Sequence, residues 1–173
     1  MEIPGLGTLD EELGGHRSES VPVSLLEGEA EFFLEGYESD DHPEDFHAAI
    51  KAFLGLGQSA LEAASGPVFE YYSDVRAIVD DGAVPHIHRP EDVWQYVTFG
   101  CEAVVARDWF GDKQVCVSIG CGCDWEPEHG LQLVFRGGRV VTKIGPYDDH
   151  MSNATTERPD LADVVYRSFR RDS

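Results

Sequence analysis

The sequence predicts an α+β domain: a largely antiparallel sheet, built from an N-terminal hairpin and a C-terminal meander, covered by two central helices and a C-terminal helix. Three observations carry that expectation. Apolar residues alternate with polar ones through residues 21–35, recur at three- and four-residue steps between Phe46 and Val79, and return to period two from residue 94 to residue 144. The 173 residues are enough for one domain spanning 1–173 with a substantial core, and too few for two full-sized ones.

The N-terminal hairpin is read from Val21, Val23 and Leu25 on one strand and Ala30, Phe32 and Leu34 on the next, with Gly28 between them. Glu29, Glu31 and Glu35 take the opposite, wet face, and residues 6–13 make a further short strand before Gly14-Gly15. Asp40, Asp41 and His42 then precede Pro43, with Glu44 and Asp45 in the first turn. Proline is tolerated at the first helical position, and acids there face the positive end of the helix dipole. Phe46, Ile50, Phe53, Leu54 and Leu61 form the buried stripe, which Gly55 and Gly57 bend or divide. Val68, Tyr71, Tyr72, Val75, Ile78 and Val79 define the second helix, up to a stop at Asp80-Asp81-Gly82.

Residues 94–107, 113–124, 131–136 and 139–144 read as the four meander strands, the last two joined by a two-residue turn at Gly137-Gly138, because glycine accepts positive φ. Leu161, Val164, Val165 and Phe169 set the apolar face of a closing helix over residues 159–170. His86 and His88 lie in a polar loop, where their spacing puts both on one side without a third ligand nearby.

Charge narrows the function classes. Thirteen Lys and Arg stand against 33 Asp and Glu, a net −20 whose field repels nucleic acid and anionic membrane surfaces. Residues 1–50 hold 14 acids and one arginine, Arg17. The expected docking surface for a basic protein partner is therefore Glu29, Glu31, Glu35, Glu38, Asp40 and Asp41, against the simpler reading of a solubilising surface. Four cysteines are too few for a disulfide scaffold. The first residues carry no secretory pattern and no stretch approaches ~20 apolar residues, so a cytoplasmic location is expected. No cofactor is implied.

The densest chemistry lies in residues 121–130, where Cys121, Cys123, Asp124, Trp125, Glu126, Glu128 and His129 crowd one hairpin turn. Period two puts Val115, Val117, Ile119, Cys121 and Cys123 on one apolar face, which favours buried structural thiols. Two cysteines two apart on a strand sit roughly 6.5–7 Å apart, near or beyond disulfide reach. Cys121 and Cys123 with His129 or His150 form the candidate metal set, although this spacing is not a standard zinc knuckle. Glu126 and Glu128 flank Pro127 as a candidate acid/base pair, with no nucleophile elbow beside them. Pro127 and Gly130 equally specify a turn, and residues 148–150 are expected to fold back onto it through a His129–Asp149 or Glu128–His150 hydrogen bond.

The run Cys121 to Leu131, followed by Phe135-Arg136-Gly137-Gly138 and by Gly145-Pro146-Tyr147-Asp148-Asp149-His150, resembles the signature of a bacterial family of uncharacterised domains. The resemblance implies a similar N-terminal β-region, helical middle and meander, and relatives of this broad group are associated with polymorphic toxin systems as immunity-type proteins. The expected function is an acidic protein-binding domain that neutralises a basic toxin by occlusion. The alternative is a metal-binding or hydrolytic enzyme using the 121–129 hairpin and His150.

Overall fold

A computed structural model describes residues 1–80 and 82–170; Asp81, within the expected helix stop, and residues 171–173 lie outside the described residues. The strands are β1 (Glu2–Ile3), β2 (Gly7–Glu12), β3 (Gly15–Ser18), β4 (Val21–Val23), β5 (Gly28–Glu35), β6 (Val97–Arg107), β7 (Val115–Cys123), β8 (Leu131–Arg136) and β9 (Val140–Gly145). They form one sheet in the order β1-β2-β3-β5-β6-β7-β8-β9, with β4 paired to part of β5. The fold is α+β, with the N-terminal hairpin and the C-terminal meander that the alternation predicted.

The two β-halves join through a parallel pairing of β5 with β6, in register Glu31 to Glu102 and Leu34 to Val105. A parallel pair needs a long crossover, and residues 36–96 supply it, carrying both helices across the sheet. Helix α1 (Pro43–Leu54) starts with Pro43 in its first turn beside Glu44 and Asp45, and Gly55 ends it. Leu61 falls in a separate 3₁₀ helix, Gln58–Ala64, so the bend is a break into two pieces. Helix α2 (Ser65–Arg76) stops before Ile78, which is 67% exposed and leaves the expected stripe.

The core lies between these helices and one sheet face. Phe32, Phe53 and Phe135 make successive edge-to-face contacts, with centroids 6.0 and 5.2 Å apart, a geometry favoured by the ring quadrupoles. Gly137 and Gly138 both have positive φ, as expected, but the connection has three residues, because Arg136 pairs with Val140. Helix α1 packs so closely on it that a Cβ at Gly138 would lie 1.9 Å from the Ala49 carbonyl oxygen.

The expected C-terminal helix is not formed. Only Pro159–Asp163 winds, as a 3₁₀ turn. Beyond it the chain is drawn out by partners on other elements: Ile144 N–H donates to the Val165 carbonyl (2.7 Å), Asn153 Nδ2 to that of Val164 (2.6 Å), and the Tyr166 and Ser168 hydroxyls donate to Asp74 Oδ2 on α2 (2.7 and 2.6 Å). These bonds replace the intrahelical ones, and Phe169 is left 43% exposed. Among the described residues no helix is long and apolar enough to cross a membrane.

Candidate functional site: the 123–130 turn and the strap over the outer sheet face

Cys123 ends β7 in the core, and the chain turns through residues 124–130 to enter β8. The Glu126 carboxylate caps this turn, accepting the His129 N–H at 2.6 Å and lying 3.3 Å from His129 Nδ1. Gly130 closes it at φ +66, donating to the Glu126 carbonyl, and a Cβ there would sit 2.3 Å from the Cys121 carbonyl oxygen. Glycine is thus required for both backbone conformation and close approach. Trp125, 1% exposed, packs edge-on against Tyr71 (6.0 Å) and Tyr72 (5.9 Å), and the Tyr71 hydroxyl donates to the Gly130 carbonyl at 2.9 Å. Burial pushes the Tyr71 phenol well above its ordinary range, with the nearby Cys123 and Glu126 adding to the effect. The turn is therefore anchored from beneath by α2, with Asp124 and Glu128 at the surface and Glu126 partly covered.

Ligand-capable atoms of Glu126, Glu128 and His129 lie within 4.8 Å of one another, the one such group among the described residues. Glu126 is partly covered and the other two are exposed. Neither Cys121 nor Cys123 joins them. Both face the core, and desolvation pushes their thiols from an ordinary 9.0 up to about 12, as it does for Cys116. Near neutral pH they offer no thiolate, and thiolate is the form that attacks or ligates.

His150 is in the segment that crosses the sheet face turned away from the helices, so the expected Cys121–Cys123–His129–His150 set is not assembled. The two loops do meet, but through a backbone bond from Tyr147 N–H to the His129 carbonyl (3.3 Å). Asp149 instead accepts from the Tyr147 hydroxyl (2.8 Å). His86 and His88 stay exposed, ring centroids 6.5 Å apart, and His86 Nε2 lies 3.1 Å from Arg76.

Alternation did not reveal that β7 and β8 are buried on both faces. Ser118, Gln132 and Lys143 hold polar positions that alternation marks as wet, yet they are 2, 0 and 1% exposed. Residues 146–152 cross them as a strap, with Met151 packed beside Cys116 and Val134. Lys143 Nζ donates to Gln132 Oε1 (3.2 Å), to the His150 carbonyl (3.0 Å) and to Asp148. Gln132 Nε2 in turn donates to Ser118 Oγ (2.9 Å) and the His150 carbonyl (3.1 Å). The sequence signals were Cys116 and Val134, apolar at positions that alternation gives to the outer face, and Lys143, a charge beside Ile144 in β9.

The acids expected to bind a partner divide into two groups. Asp40, with its side chain 3% exposed, is committed to Arg107 and cannot present its charge outward. Glu38 lies 3.3 Å from His16 Nε2, and Glu31 shares Arg17 with Glu12 and Glu102 at 3.5, 2.9 and 2.6 Å. Glu29, Glu35 and Asp41 are exposed.

Thiol burial yields a direct expectation. At neutral pH a disulfide reagent such as DTNB labels one thiol of the native protein, exposed Cys101, and four after denaturation. Because the three buried thiols have raised folded-state values, their contribution to stability is full below the ordinary thiol value of 9.0 and is lost as pH rises toward the folded values of about 12. Rapid native labelling of more than one thiol would contradict the burial.

Fold and site together define an α+β domain with one acid-bearing hairpin turn and a strap closing the outer face of its meander. Residues 5–151 match the family described as a domain of unknown function, DUF6985, and the chain belongs to that family. The match takes in β2 to β9, both helices, the turn and the strap through Met151. No curated protein and no solved structure matches the chain.

Proposed function

We propose that this is a binding domain whose 126–129 turn takes a divalent cation through Glu126, Glu128 and His129. The convergence of those three ligand atoms within 4.8 Å on an anchored turn carries the reading. Two carboxylates and one imidazole suit Zn²⁺ or Mn²⁺ and leave coordination positions to water or a partner group. Glu126 already orients His129, so little rearrangement is needed. Titration of tag-free protein by calorimetry and native mass spectrometry is expected to show one equivalent of Zn²⁺ or Mn²⁺. Glu128→Gln and His129→Ala should each weaken it by roughly tenfold or more, at least the loss that follows removal of a group merely orienting a ligand. Binding absent from the parent, or unchanged in both variants, overturns the proposal.

A second reading is supported by a separate observation, the exposed carboxylates of Glu29, Glu35 and Asp41 on a segment whose first 50 residues carry 14 acids and one arginine. In this reading a basic protein docks on the acidic side of the molecule, and complementary charge speeds the encounter. A cytoplasmic immunity-type protein that occludes a basic toxin is its most specific form.

A further inference from the structure

We propose that the groove between the 3₁₀ helix Gln58–Ala64 and the start of β6 is the socket that receives an arginine side chain of such a basic partner. This rests on the second reading above and names the contact surface for it. The groove has a volume of about 490 Å³. Its aromatic wall is Trp94 and Phe99, half-buried, with rings nearly parallel (21°) and centroids 6.3 Å apart. Trp94 Nε1 donates to Ser65 Oγ at 2.9 Å, which sets the indole in place from the first residue of α2.

Three carboxylates, Glu27, Glu62 and Glu91, line the same groove and are exposed, and among the described residues no lysine or arginine lines it. Glu91 also lies 3.5 Å from Arg89 Nη1, an exposed pair; such pairs contribute little and exchange readily. Glu27, which lines the groove, is held in the left-handed region at φ 51, a conformation uncommon for residues other than glycine.

The combination selects the occupant. An apolar side chain would strip water from the three carboxylates without pairing them, and an anion would be repelled. A guanidinium satisfies both halves, stacking on an aromatic face and offering planar forked N–H donors to carboxylates. Arginine fits better than lysine because its weakly hydrated plane stacks and its donors are fixed in a fork.

The test uses the full chain and a fluorescein-labelled decapeptide of alternating arginine and glycine, with a citrulline-for-arginine peptide as neutral control, followed by anisotropy at ~0.15 M salt, where the Debye length is ~8 Å. The arginine peptide should bind and the citrulline peptide should not. Trp94→Leu is expected to weaken binding roughly fivefold or more, and Trp94→Phe to restore most of it, because a ring face is retained. Glu62→Gln with Glu91→Gln should weaken binding with no change in the near-ultraviolet circular dichroism that reports the fold.

The triple variant Glu29→Gln, Glu35→Gln, Asp41→Asn separates the two ideas. If binding follows that triple variant and ignores the groove variants, the socket is overturned while the acidic-surface reading stands. If the arginine peptide fails to bind the parent even at low salt, the acidic-surface reading falls and takes the socket with it.

Discussion

Arg107→Met lowers the unfolding free energy by about 3 kcal/mol, the low end of the cost of breaking a buried ion pair by removing one partner, since this pair is covered only in part. Arg107 ends β6 and its side chain is 10% exposed. Its guanidinium grips Asp40 with two bonds of 2.7 Å, donates to Asp45 Oδ2 at 2.9 Å and to the Lys113 carbonyl at 2.6 Å, and lies over the Phe46 ring. One residue thus fastens the start of α1 and the β6–β7 turn to the sheet. Its loss leaves the Asp40 carboxylate desolvated beside the acids of the α1 start.

Hydrogen bonding from Arg107 holds the Asp40 carboxyl below the ordinary carboxylate range, against the opposing effect of its burial. A depressed folded-state value means the contribution is full above the unfolded value, about 3.9, and is lost as pH falls through the folded one. The gap between parent and Arg107→Met should therefore be widest near neutrality and narrow below about pH 4. Urea titrations at pH 7 and pH 3 check this, with the midpoint shifting and the slope unchanged. Arg107→Lys is expected to recover only part, since an ammonium cannot make the fork. An equal midpoint for parent and Arg107→Met at pH 7 would refute the clamp.

Lys143→Met releases the strap. Its direct cost is expected at about 1–2 kcal/mol, because the Gln132 oxygen and the His150 carbonyl each lose a donor but keep one, the Asp148 N–H and Gln132 Nε2. Asp148, with its side chain 48% exposed, can rehydrate and adds less. The signature is regional: amide exchange in residues 146–152 should accelerate well beyond that in β7, because Asp148 and the His150 carbonyl are strap acceptors bound to Lys143.

The pH dependence has the opposite sign to that of the thiols. Burial lowers the Lys143 amine below its ordinary value, although Asp148 opposes the shift. The unfolded chain then binds that proton more tightly, so the penalty is full below the folded value and is relieved as pH rises toward about 10.4. Uniform exchange rates across strap and sheet in Lys143→Met would rule out Lys143 as the fastener.

Much of the fold was legible because local burial leaves a local period. The β4–β5 hairpin, the four meander strands and the Pro43 helix start follow from residues that contact their own neighbours in sequence. The Cys121 and Cys123 assignment to the core face came from the same source. The closing helix failed because Leu161, Val164 and Val165 fit a helical stripe equally well when drawn out against β9, and only Asp74, Asn153 and the Ile144 amide, all distant in sequence, favour the drawn-out form.

Within the site, Glu126, Glu128 and His129 were visible as chemistry, and Pro127 with Gly130 as a turn. Their separation from the cysteines was not, since it depends on which way the chain leaves β7.

By itself the sequence determined the hairpin and meander strands, the two central helices, the core-facing side of β7, and the acidity of the first 50 residues, because these are properties of short stretches or of composition. Tertiary structure alone decided that β5 and β6 run parallel, that Arg17 and Arg107 neutralise several of those acids, and that Ser118, Gln132 and Lys143 are buried. A polar residue at a period-two position reads as solvent-facing until something covers it. Burying a lysine then requires acceptors brought together from elsewhere, here Gln132 on β8 with Asp148 and His150 on the strap.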